Sequence, residues 1–144
     1  MNQPPAAEPR PVPPVPTGFG PAKITILPLS DLVAIEQSET RLEVYVAVLD
    51  AFGSAIKTPA ALRVELYEYT PRSPQPKGRR IAIWPDIDLT QPAENNRHWR
   101  DVLRAYYFEF DPNVDRDQTY VLEVTCLCPG GKRLSAEHAV RTGS

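Results

Sequence analysis

Residues 119–141 read TYVLEVTCLCPGGKRLSAEHAVR. Tyr120, Leu122, Val124 and Cys126 share one parity, and Leu134, Ala136, His138 and Val140 share another. A strand sends alternate side chains to opposite faces, so each run has one apolar face. Pro129-Gly130-Gly131 between them suits a tight reversal with a glycine in a left-handed conformation. Folding about Gly130 sets Tyr120 opposite Val140, Leu122 opposite His138, Val124 opposite Ala136 and Cys126 opposite Leu134. Every apolar partner then lies on one face, and a slip of one residue would break that agreement.

The same period recurs upstream. Leu42, Val44, Val46 and Val48 alternate with Arg41, Glu43 and Tyr45, and Leu62, Val64 and Leu66 alternate with Arg63, Glu65, Tyr67 and Tyr69. Lys23–Leu29 reads as an edge strand because Pro28 cannot donate to a ladder. Leu32, Val33 and Ile35 fit one helical turn opened by Ser30 or Asp31. Asp50–Gly53 is a turn, 71–80 a loop with three prolines and four basic residues, and Ile81–Trp84 a short strand stopped by Pro85. A short extended piece over 86–90, a helical turn within 92–100 and a strand over 102–110 complete the series. About seven short strands with scraps of helix predict an all-β antiparallel sandwich of immunoglobulin-like, transthyretin-like or C2-like topology.

Length and composition bound the rest. Of 17 prolines, eight precede Ala22. That stretch lacks the apolar residues to offset ordering entropy, so residues 1–21 are expected as a disordered arm and 22–142 as one β-sandwich domain. A net charge of −2 argues against a nucleic-acid binder. No apolar run is long enough for a transmembrane helix, and Met1 is not followed by a signal peptide. An upstream export signal would make the arm a tether outside the cytoplasm. Monomer or weak dimer is the expected state, the dimer through exposed edge strands.

Asp115-Arg-Asp-Gln-Thr-Tyr120, with its tyrosine at a strand start, resembles the tyrosine corner of immunoglobulin-like, fibronectin-like and transthyretin-like sandwiches. The cysteine pair of true immunoglobulin domains is missing. More loosely, the chain resembles small bacterial proteins in which a signal or lipoprotein anchor precedes a proline-rich arm and a β-sandwich. Neither resemblance implies an activity.

Candidate chemistry is sparse. Asp111, Asn113, Asp115 and Asp117 place oxygen ligands at alternate positions, as a calcium loop does, and a C2-like arrangement would join them with Asp50 or with Asp86 and Asp88 at one end of the sandwich. Yet the sixth position is Arg116 where a calcium loop needs glycine, and the twelfth is Leu122 where it needs glutamate. Turn chemistry alone explains such a segment. Arg72, Lys77, Arg79 and Arg80 form a basic patch suited to phosphate, an anionic glycan or an acidic protein. Trp84 and Trp99, with Tyr106 and Tyr107, are the rings a glycan would stack on, or core packing.

Cys126 and Cys128 lie two apart in a strand, about 6.5–7 Å between Cα atoms, with side-chain vectors poorly suited to a disulfide. Zinc on that pair plus His138 fails, because the register puts His138 about 13 Å from Cys126. Ser135 and His138 leave opposite faces of one strand, which defeats a hydrolase dyad. Asp86 and Asp88 share a parity, the minimum for glycoside hydrolysis, but would need a pocket shared with groups such as His98. The sequence therefore reads as a non-enzymatic module that binds a protein or glycan or serves as a spacer. A calcium-dependent C2-like module and a carbohydrate-binding module are the alternatives.

Overall fold

The computed structural model describes residues 18–36 and 39–142. The proline-rich stretch up to residue 17 lies outside the described residues. Gly18–Pro21 belongs to the folded body. The Gly18 carbonyl accepts the Ala51 N–H at 3.1 Å, and Phe19 packs on Phe52.

Ten strands and one short helix follow in the order β1 (Lys23–Ile26), β2 (Asp31–Ala34), β3 (Thr40–Leu49), β4 (Ala61–Tyr69), β5 (Lys77–Ile83), β6 (Ile87–Asp88), α1 (Pro92–His98), β7 (Trp99–Arg100), β8 (Ala105–Phe110), β9 (Thr119–Leu127) and β10 (Arg133–Arg141). The expected seven become ten because edge strands are split. One sheet runs β1-β3-β8-β7, with β2 also on β3; the other runs β10-β9-β4-β5, with β6 also on β4. All pairings are antiparallel. This is the strand order of an immunoglobulin-type Greek key, A-B-E-D facing G-F-C-C′.

The hairpin has the register read from sequence, Tyr120↔Val140 through Cys126↔Leu134. The core follows the same parity: Leu42, Val44, Val46 and Val48 on β3, Leu62, Val64 and Leu66 on β4, and Leu122, Val124 and Cys126 on β9 are all buried. Each such aliphatic side chain contributes roughly 1.5–3 kcal/mol on leaving water.

Three segments differ from expectation. Residues 102–104, expected within a strand, form a turn, and β8 starts only at Ala105. Asp31–Ala34 is a strand and not a helical turn. The Leu27–Ser30 turn interrupts one edge strand without reversing it, since β1 and β2 both run antiparallel to β3, and buried Ser30 replaces the missing ladder: its hydroxyl accepts the Tyr45 N–H at 2.9 Å and donates to the Tyr45 carbonyl at 3.2 Å. β5 begins at Lys77, inside the expected 71–80 loop. Its period is hidden by two bulges. Tyr67↔Arg80 and Tyr69↔Lys77 leave Gly78 and Arg79 opposite Glu68, and a further shift lies between Leu66 and Tyr67.

A buried polar knot braces one end. Tyr106 is fully buried; its hydroxyl accepts the Thr58 N–H at 3.0 Å and donates to Asn95 Oδ1 at 2.9 Å. Asn95 Nδ2 donates in turn to the carbonyls of Thr58 (2.8 Å) and Leu89 (2.9 Å). Three connections with no ladder of their own, before β4, after β6 and through α1, are thereby fixed to β8.

The two lateral edges differ. On one, β10 comes up beside β1 and β2, and the Arg141 N–H donates to Asp31 Oδ1 at 2.7 Å. On the other, β7 pairs β8 only at Ala105 and Tyr106, while β6 pairs β4 only at Ala61 and Leu62. There the sheets stand apart.

Candidate functional site

The residues singled out from sequence are mostly engaged within the fold. Lys77 bonds Glu123 at 2.7 Å and Glu137 at 3.2 Å and lies over the Tyr67 ring, Arg79 pairs with Glu68 at 3.0 Å, and Arg80 with Glu65 at 3.1 Å. The hydrogen bonds that Lys77 donates to Glu123 and Glu137 raise its pKa. Arg72 is exposed in the turn, at a φ of 68°. The basic patch is thus largely neutralised by the outward face of its own sheet.

Trp84 packs on Phe110 at 4.7 Å between ring centroids, and Trp99 is buried edge-on against Tyr106 at 5.1 Å, with Lys57 and Arg104 over its ring. Tyr45 and Tyr107 stack on each other at 4.6 Å, and Arg100 covers Tyr107. Rings already taken up by other rings and by cations make a poor platform for a sugar.

The acidic loop is organised as a turn. Asp111 Oδ1 accepts the Asn113 N–H at 3.2 Å, Asn113 and Asp117 take positive φ, and the Asp117 N–H donates to Thr142 Oγ1 at 2.8 Å. The Tyr120 hydroxyl reaches back to the Asp115 carbonyl at 3.4 Å, the corner read from sequence in a weak form. Among the described residues no three His, Cys, Asp or Glu side chains come together as a metal site. Cys126, in β9, and Cys128, just past its end at Leu127, are buried free thiols with Sγ atoms 3.7 Å apart. Burial, then the neighbouring sulfur, pushes the Cys126 thiol up to about 12.

The structure does gather Asp86, Asp88 and His98, at the open lateral edge. They border a groove of about 440 Å³, within the usual ~300–1,000 Å³ range of ligand sites. Ile87, Phe108 and Phe110 form its apolar floor, and α1, with Glu94, Arg97 and His98, closes one end together with the preceding Gln91. Glu109 completes the rim. His98 stacks on Phe108 at 4.7 Å, and its Nδ1 lies 3.0 Å from the Tyr107 carbonyl. A carbonyl only accepts, so Nδ1 carries the proton, and Nε2 faces Arg97 Nη2 at 3.3 Å.

Asp86 takes two bonds from Arg63, at 3.1 and 3.3 Å. The Thr90 hydroxyl and N–H hold Asp88 below its ordinary pKa, and Arg97 does the same for Glu94. The Tyr107 hydroxyl donates to Glu109 at 2.6 Å and to Glu43 at 3.2 Å; burial, then these carboxylates, raises the Tyr107 pKa. Four carboxylates therefore meet two guanidiniums, Arg97 in the wall and Arg63 behind Asp86, an excess equal to the net charge of the whole chain. Comparison with protein-family models, curated proteins and solved structures finds no match for this chain.

Proposed function

We propose that the chain is a non-enzymatic binding module that docks its partner in the groove between β6 and β8. The observation that carries this reading is the groove itself: an acidic rim over an apolar floor, at the one lateral edge where the two sheets part. Its groups suit binding better than catalysis. No hydroxyl or thiol side chain lines it among the described residues. A general acid needs a raised carboxyl pKa, and those of Asp88 and Glu94 are lowered. His98 is held through both ring nitrogens. As a tether, the proline-rich sequence before Gly18 would hold the domain by the end that bears Phe52, leaving the lateral groove free.

Site-specific photocrosslinking tests the reading. A photoreactive residue replacing Asp88 is expected to give a discrete partner adduct in the source cell, and the same residue replacing Ser135, on the outward face of β10, to give none. No adduct at Asp88, or equal adducts at both positions, refutes it.

A further inference from the structure

We infer that the groove takes an extended, basic peptide segment, whose main chain pairs with Glu109 and Asp88 and whose Lys or Arg side chains enter the acidic rim. This deepens the reading of the groove as the docking surface and rests on it.

The direction of the backbone groups comes first. Tyr45 directs its N–H and C=O to Ser30 and Leu27, away from β8. Tyr45 is paired with Tyr107, so the two form a non-hydrogen-bonded pair in the β3–β8 ladder. By the alternation of an antiparallel ladder, Tyr107 and Glu109 aim their peptide groups away from β3, toward the groove. The His98 ring occupies the Tyr107 carbonyl. Beyond it, β7 has ended, and the Glu109 peptide groups have no main-chain partner among the described residues.

The opposite wall follows the same logic. The Leu89 N–H bonds the Ala60 carbonyl, so Asp88, one residue back and paired with Ala61, turns its peptide groups away from β4. Two sheet edges thus present main-chain donors and acceptors across one cavity. An extended chain satisfies such groups at regular spacing, whereas a helix has no free peptide groups to offer.

Charge fixes the sign of the occupant. The groove holds two net negative charges, and the rest of the chain is balanced. The apolar floor suits a cationic side chain better than a small cation, because Lys and Arg lay aliphatic stems on apolar surface while their heads stay with carboxylates. Phe108 and Phe110 would carry the stem of one cationic side chain, with Glu94 facing its head; the next side chain, of opposite parity, would meet Glu109 beside Tyr107.

The test uses a capped hexapeptide of alternating arginine and threonine, with a glutamate–threonine peptide as its sign-reversed control, titrated into the isotopically labelled full chain. The basic peptide is expected to shift the amide signals of Asp88 and Glu109, and its affinity to fall about tenfold in Glu109→Lys. Affinity should also drop as salt is raised to ~0.5 M. Glu137→Lys, on the outward face of β10, should leave it unchanged. Absence of shifts at Asp88 and Glu109, equal binding of the acidic peptide, or an unaffected Glu109→Lys overturns the inference. If the Asp88 crosslink forms while the peptide does not bind, the basic-strand inference fails and the docking surface stands; if both fail, both fall.

Discussion

Replacing Tyr106 by phenylalanine removes one oxygen and leaves the ring. The hydroxyl accepts the Thr58 N–H at 3.0 Å and donates to Asn95 Oδ1 at 2.9 Å, and all three residues are buried. Both partners belong to buried residues, so loss of the hydroxyl leaves the Thr58 N–H and Asn95 Oδ1 without that bond. The Asn95 amide cannot swing to a new partner, because its nitrogen is held by the Thr58 and Leu89 carbonyls. Each orphaned group costs about 1–3 kcal/mol. Part of this is offset by the easier burial of phenylalanine, which leaves an expected loss of about 3 kcal/mol. At roughly 4 °C per kcal/mol for a domain of this size, the melting temperature should fall by about 12 °C. Urea denaturation measures the change directly, and an unaltered slope would show that the denatured state is not the cause. Asn95→Ala should be damaging too, and the double variant should be less damaged than the sum by at least about 1 kcal/mol. Tyr120→Phe is the internal comparison: its bond to the Asp115 carbonyl is long, at 3.4 Å, so about 0.5 kcal/mol is expected. A loss under about 1 kcal/mol for Tyr106→Phe, or full additivity with Asn95→Ala, refutes the keystone role of the knot.

Alkaline pH should weaken the fold. The Cys126 thiol is held up to about 12 from an ordinary 9.0, and Tyr106 above 10.0, chiefly by burial. Neutral forms favoured by folding leave stability intact below pH 9; it then falls as the unfolded chain ionises, so urea midpoints should decline from about pH 9 to about pH 12. Both thiols should react with an aromatic disulfide reagent on the order of a hundredfold more slowly in the native protein than in urea, since reaction requires opening of buried sulfurs; equal rates would contradict the burial. Lys77→Met removes the bonds to Glu123 and Glu137 and should cost about 1 kcal/mol, a difference that shrinks in high salt. Gly78→Ala would bring a methyl to 3.1 Å from the Glu68 carbonyl and from Thr70 Cγ2, and should destabilise by about 1 kcal/mol in thermal melts.

The hairpin and the two long central strands were legible because one buried face imposes period two on the residues themselves. Tyr120, Leu122 and Val124 fixed a register that Val140, His138 and Ala136 match one for one. Legibility failed where that period is interrupted. Two bulges disguise the start of β5, and around Ser30 a side-chain hydroxyl does the work of a peptide ladder. Asn95 gave no signal, since a polar residue amid 92–100 looks like surface until the Thr58 and Leu89 carbonyls are seen to reach it. Asp86, Asp88 and His98 can act together only in a common cavity. Whether β6, α1 and β8 would meet around one is a property of the topology and of no local pattern. The basic residues of 71–80 stood out because they cluster in sequence, while their partners Glu65, Glu68, Glu123 and Glu137 are spread over three other strands.

The path of β1 and β10 has a mechanical consequence. Gly18 sits against the β3–β4 turn, whereas Thr142 is fastened to the β8–β9 loop at Asp117, so these two ends of the folded body lie at opposite poles of the sandwich. Tension applied through the two termini would run parallel to the strands. It would load the β1–β3 and β9–β10 ladders in shear, many bonds sharing the force at once, instead of peeling them one after another. A domain strung in series this way would act as a stiff link that yields abruptly.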